Sequence, residues 1–150
     1  MTDQLHALEQ WAGVLLEKLE PSARTQLARD ISKQVRRSQQ LRVKAQRDPA
    51  GNPFAPRKQR DLRGKKGRIK RKMFQKLQTA RHLKAQANSN AVSVGFTGRV
   101  SRIARVHQFG LRDRAERGAK EVKYTQRRVL GLSESDVELI RDTLLTHLSL

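Results

Sequence analysis

The sequence predicts an α+β fold: N-terminal helices, a small antiparallel sheet, a long basic arm or loop, and a C-terminal amphipathic helix. Three observations predict it. Apolar residues recur at helical spacing near both ends of the chain. In two internal stretches they alternate at strand spacing, and between those stretches lies a run of Lys and Arg with almost nothing to bury. The 150 residues have the size of one domain, expected to span 1–150. Only 36% of them are hydrophobic and 4% aromatic, so the core is expected to be lean and partner surfaces to matter.

Asp3 is placed to cap a first helix, with Leu5, Leu8, Leu15, Leu16 and Leu19 on one broad stripe and Trp11 and Ala12 on or beside it. Pro21 opens a second helix, where its missing donor costs nothing. Leu27, Ile31 and Val35 carry that helix to about Gln39. Leu41, Val43 and Ala45 then alternate with Arg42, Lys44 and Gln46, the pattern of a half-buried strand. The Asp48–Pro53 stretch DPAGNP is a turn.

From Arg57 to Lys72 the chain carries Arg57, Lys58, Arg60, Arg63, Lys65, Lys66, Arg68, Lys70, Arg71 and Lys72 against Asp61 alone. With Gly64 and Gly67 inside it, this stretch reads as a mobile arm at about 52–70. A helix with Met73, Phe74, Leu77, Ala80 and Leu83 inward is expected next, then a turn at Asn88-Ser89-Asn90 and a strand over Ala91–Phe96. Thr97-Gly98 allows a reversal into Arg99-Val100-Ser101, and the segment RIARVHQF fits a short helix or a strand. Glu121 to Leu130 reads as a last strand. Ser133 is a suitable N-cap for a final helix with Val137, Ile140, Leu144, Leu145 and Leu148 as its stripe.

Charge is distributed unevenly. The net charge is +19, yet residues 1–20 carry Asp3, Glu9, Glu17 and Glu20 against Lys18, and residues 133–150 carry Glu134, Asp136, Glu138 and Asp142 against Arg141. Each end is therefore −3, which leaves +25 between them. Such a body calls for an acidic partner: nucleic acid, an anionic surface or acidic protein subunits.

The sequence offers no constellation of catalytic or metal-binding residues. There is no Cys, so disulfides and thiolate metal sites are excluded, in keeping with a reducing cytoplasm. His6, His82, His107 and His147 do not pair at metal-ligand spacing, and a lone histidine is more often structural than catalytic. Gly118-Ala119-Lys120 breaks the phosphate-loop pattern, and the six central carboxylates are scattered among excess cations. No cofactor, metal or catalytic residue is expected. No opening signal and no apolar run near the roughly 20 residues of a membrane span occur, so a soluble protein that stays where it is made is expected.

Arg57, Lys58, Arg63, Lys65, Lys66, Arg68 and Lys70 are the candidate partner or phosphate contacts. Bound to phosphate they would give salt-sensitive, sequence-blind affinity; as a solvated loop they would order only against acidic subunits. The arm carries no aromatic, and Phe54 and Phe74 stand at its ends, so no stacking platform for single strands is expected. Gly110 and Gly131, each with apolar neighbours and each followed by Leu, read as turns that dock those neighbours on a core.

Ile103 to Gly110 (IARVHQFG), then Tyr124, then Arg127 to Ser133 (RRVLGLS) and a terminal helix with Asp136 together resemble the phage virion morphogenesis family. That family includes the tail completion proteins of contractile-tailed temperate phages. The resemblance extends upstream through the Gln46–Pro53 turn, the Lys-rich region, Met73-Phe74 and Val94-Gly95-Phe96, and so covers nearly the whole chain in order. It marks His107, Gln108, Phe109, Gly110, Tyr124, Arg128, Leu130 and Gly131 as motif residues.

The resemblance implies a non-enzymatic late assembly protein of the virion, completing the head-proximal end of the tail before head–tail joining. It also implies a six- or twelve-fold ring in the neck region. The implied partners are further copies of the chain, the tail tube or terminator, head-completion or connector proteins, and passing or packaged DNA without sequence preference. A dense positive lining would hold sliding DNA, which favours the arm packing against protein. The competing reading is a nonspecific nucleic-acid-binding protein acting through the basic middle section.

Overall fold

The computed structural model describes residues 2–58 and 72–148, so Arg60 to Arg71 of the basic run lie outside the described residues. The order is α1 (Thr2–Leu16), α2 (Pro21–Lys44), β1 (Leu83–Ala87), β2 (Val92–Phe96), α3 (Arg99–Phe109), β3 (Arg112–Arg114), β4 (Glu121–Lys123) and α4 (Glu134–Leu148). The fold is α+β, with two separate two-stranded antiparallel sheets among the described residues, β1–β2 and β3–β4, where one small sheet was expected.

One apolar core joins α1, α2 and α4. Leu8 and Ala12 of α1 meet Leu27, Ile31 and Val35 of α2 and Val137 and Leu144 of α4, with Leu16, Leu19, Val94, Leu132 and Ile140 packed around them. Asp3 falls in the first turn of α1 rather than at its cap. Trp11 lies off the buried stripe and keeps 39% of its surface exposed.

α2 is longer than its sequence suggests. The expected strand over Leu41–Ala45 is instead the last helical turn, because the four-residue register Leu27, Ile31, Val35 continues through Gln39 to Val43, all five of them buried. Gln39 is polar, which hides the continuity; Leu41, which suggested the strand, is 58% exposed. The helix closes at Ala45, with Gln46 in the left-handed region at φ 60°. Gln46 N–H then donates to Val43 O at 2.9 Å and Arg47 N–H to Arg42 O at 3.2 Å, the paired bonds of a Schellman ending. The Asp48–Pro53 turn forms as expected, with Gly51 at φ 87° and Asp48 Oδ1 accepting from Asn52 N–H at 2.8 Å.

The expected helix over Met73–Leu83 does not form. Phe74 sits at φ 63°, which no helix admits, and the chain passes through irregular turns until Leu83, fully buried, starts β1. β1 pairs with β2 from Leu83↔Phe96 to Ala87↔Val92. The turn between them is held by Asn88 Oδ1, which accepts from Asn90 and Ala91 N–H at 2.8 Å each. Gly98 begins α3 instead of a reversal into a strand, which resolves RIARVHQF as helix. The expected strand from Glu121 to Leu130 shortens to Glu121–Lys123. Beyond it, the donors of Tyr124 and Arg127 go to Leu111 O and His107 O of the α3 region.

α4 begins at a reciprocal cap. Asp136 N–H donates to Ser133 Oγ at 3.2 Å, and Ser133 N–H donates to Asp136 Oδ2 at 2.8 Å. The same carboxylate, with no exposed surface, accepts from Ser38 Oγ and from Gln39 Nε2 (3.2 Å) of α2. Gln39 Nε2 also donates to Gly131 O at 2.9 Å, and Arg42 Nη2 donates to the carbonyls of Val129 (3.3 Å) and Gly131 (3.2 Å). Burial of the Arg42 guanidinium lowers its pKa below the usual arginine value, while Asp136 and Asp48 act in the opposite direction.

Two stability predictions follow from this packing. Asp136→Ala leaves the Ser38 and Ser133 donors unpaired, takes one of two acceptors from Gln39 and removes half of the reciprocal cap, so denaturant unfolding should show a loss of about 3 kcal/mol. A Cβ at Gly131 would stand 2.6 Å from Pro49 Cγ. Gly131→Ala should therefore lower stability by about 1–3 kcal/mol through overpacking, and a midpoint unchanged from the parent would show that the Pro49 ring yields freely.

Candidate partner interface at the root of the basic arm

The two ends of the basic run are fastened to one place. Gln46 Oε1 accepts from Met73 N–H at 2.6 Å while its Nε2 donates to Met73 O at 2.8 Å. The Gln46 carbonyl accepts from Phe54 N–H at 3.0 Å. One residue at the end of α2 thus holds both the departing and the returning strand.

Arg127 fastens the departing end from the other side. Its Nε donates to Ala55 O and its Nη2 to Pro56 O, each at 2.7 Å. The side chain is almost entirely buried. Phe54, Phe74, His107 and Tyr124 form a row of edge-on rings with centroid spacings of 5.3, 5.0 and 5.2 Å. These aromatics pack the root together; they are not a stack presented to bases.

α3 carries the histidine into this row and ends immediately after it. Gly110 adopts φ 61°, and Leu111 N–H reaches back to Val106 O at 2.9 Å. Gln108 Oε1 accepts from Val129 N–H (2.8 Å) and Leu130 N–H (3.0 Å), and its Nε2 donates to Leu130 O at 2.8 Å. A side-chain amide here takes the place of a neighbouring strand.

Among the described residues no group of three or more His, Cys, Asp or Glu could hold a metal ion, and no helix is long and apolar enough to cross a membrane. The described arrangement fastens the residues on either side of the basic run to the body. A family model for phage virion morphogenesis matches residues 3–149. The chain belongs to the phage virion morphogenesis family. It is similar to the tail completion protein S of Escherichia phage P2, with 45% identity over 135 residues, 89% of this chain and 90% of that protein. No solved structure matches it significantly.

In this family member the structure gathers most of the motif residues around the arm root. His107, Gln108, Gly110, Tyr124 and Leu130 all contribute bonds, ring contacts or the turn itself, and Gly131 abuts Pro49 of the upstream turn. Phe109 is different: it points outward, 62% exposed. Arg128 is exposed as well, and its neighbour Arg127 does the fastening.

Of the candidate contact residues, Arg57 and Lys58 are exposed beside the root; Arg63, Lys65, Lys66, Arg68 and Lys70 lie outside the described residues. Sequence reasoning missed Gln46, Arg127 and the exposed cations Arg29, Lys33, Arg37 and Lys44 along α2. The α2 set was visible in principle, as a basic stripe at helical spacing.

Burial, then Arg127 and Arg57, push the His107 imidazole down from 6.5 to about 4. Burial, then Arg57, also lowers Arg127 below its usual value. A guanidinium only donates, so Arg127 Nη1, 3.3 Å from Nδ1, assigns the ring proton to Nε2. The unfolded chain takes up a second ring proton, which forms the imidazolium, near 6.5 and the folded chain only near 4. The contribution of the neutral ring is therefore complete above 6.5 and is lost as pH falls through this window. His107→Gln should flatten the pH dependence of unfolding across it, read as the difference between parent and variant in denaturant titrations.

Proposed function

We propose that this chain is a non-enzymatic tail-completion protein of a phage virion, acting at the head-proximal end of the tail to permit head–tail joining. The observation that carries this reading is the near full-length similarity to tail completion protein S of phage P2. The built arm root supports it, since buried Arg127 and half-buried Gln46 fasten the residues on either side of a basic segment to the body.

In this role the protein works as a homo-oligomeric ring, six- or twelve-fold, in the neck region. It is made in the host cytoplasm and incorporated into the virion. The arm residues reach acidic protein neighbours, whether the tail tube or terminator, a head-completion or connector protein, or an adjoining copy. A second reading, nonspecific nucleic-acid binding, is favoured by one observation: Arg29, Lys33, Arg37 and Lys44 are exposed together along α2.

Electron microscopy of lysates in which only this coding sequence is disabled separates the two. Tail completion predicts full heads accumulating beside unattached or misfinished tails. Joined virions in normal number would remove that role and leave nucleic-acid binding as the function to pursue.

A further inference from the structure

α1 is apolar on two sides. Leu8 and Ala12 enter the core, yet Trp11 at the edge of that stripe and Val14 beyond it stay 39% and 63% exposed. A helix with one neighbour normally turns a polar face to solvent, so apolar residues on the opposite side mark a surface that another body covers. Asp3 and Glu17, both exposed, stand at the two ends of the Trp11/Val14 stripe by helical spacing; exposed Lys18 follows Glu17 on the same side, and the face stays net acidic.

α3 has a face of the opposite kind. Arg102, Arg105 and Phe109 follow at three and four residues, and all three are exposed. α3 carries Arg99, Arg102 and Arg105 and no acidic residue. The two faces lie on different parts of the fold, since α1 packs on α4 and α3 packs on β2.

We propose that copies of this chain join head to tail, with the Trp11/Val14 face of α1 on one copy covered by the Arg105/Phe109 face of α3 on the next. The proposal rests on the self-assembly in the reading above and names the surface that performs it. Charge selects the occupant. Phosphate or an anionic membrane would be repelled by Asp3 and Glu17, whereas the α3 face supplies cations together with an exposed ring. Arginine also stacks favourably on the face of tryptophan. Because the two patches differ, the contact is heterologous and generates a ring when its rotation closes.

The test exchanges the charges. Ser101→Glu with Arg105→Glu makes the α3 face acidic and leaves the Arg102–Asp113 ion pair alone. Gln10→Lys with Glu17→Lys makes the flank of the α1 face basic. Sedimentation velocity on the full chain is read beside the emission of Trp11, the single tryptophan. The parent should assemble with a blue shift of that emission as concentration rises. Each doubly substituted chain, with helix content intact by circular dichroism, should associate roughly tenfold more weakly or worse. An equimolar mixture should recover assembly, because every contact then pairs opposite charges.

Assembly of either variant alone at parental strength would overturn the proposal, as would a mixture of two folded variants that stays dissociated or a parent that stays monomeric throughout. None of these outcomes touches tail completion itself, which the microscopy of disabled lysates reads separately.

Discussion

A carboxylate with no contact with water must be surrounded by donors, and Asp136 imposes that demand on three parts of the chain at once. Ser38 and Gln39 come from α2, the Ser133 amide from the turn before α4, and Gln39 extends the set to both backbone groups of Gly131. Arg42, one turn along α2 from Ser38 and Gln39, adds bonds to the carbonyls of Val129 and Gly131. The position of the Val129–Ser133 segment follows from this arrangement rather than from sheet pairing. With the segment in place, Gly131 lies against Pro49 and Val129 and Leu130 offer their amides to Gln108. Arg127, two residues earlier, is then directed at Ala55 and Pro56. The arm root is thus downstream of a polar network at the start of α4.

Strain is concentrated at the same root. Gln46 and Phe74 are the non-glycine residues with positive φ among the described residues, and they flank the basic run on either side. A left-handed conformation costs a side-chain-bearing residue roughly 1–2 kcal/mol. At Gln46 the cost is offset by side-chain bonds to Val43 and Met73 that its turned backbone makes reachable. At Phe74 it is offset by ring contacts to Phe54 and His107. Such residues persist where surrounding structure over-determines them, and the bonds around the root do so here.

What could be read in advance divides by physical kind. Local signals were legible: Pro21 at the start of α2, Ser133 as a cap, the Asp48–Pro53 turn, and the apolar stripes of α1 and α4. Non-local compensation was not. Gln39 looks like a break in an apolar register and is in fact buried because Gly131 and Asp136, far along the chain, satisfy it. Lys84-Ala85-Gln86-Ala87 has the composition of a helix, and becomes a strand because Val92–Phe96 lies beside it. The choice between Arg127 and Arg128 depends on which of two adjacent side chains meets Ala55 and Pro56, a tertiary fact with no local trace. The motif residues were marked as a group through family resemblance; the meeting of His107, Gln108, Gly110, Tyr124 and Leu130 at the arm root is a property of the fold.

The separation of charge bears on symmetry as well as on partner. A two-fold contact places each patch against its own kind, so joining two copies through α3 would set Arg102 and Arg105 against themselves, and joining through α1 would do the same to Asp3 and Glu17. The α3 pairing cannot cover Phe109 without confronting like charges, and the α1 pairing leaves Lys18 as the one cation on that face to answer two pairs of carboxylates. The proposed unlike pairing would cover apolar surface and neutralise charge in one step, and would leave a free face of each kind at the two ends of any open assembly. Closure into a ring removes those ends. In the proposed assembly, closure would bury the exposed Trp11 and Phe109 and set the acidic flank of α1 beside the cations of α3, a local relief for a chain whose net charge is +19.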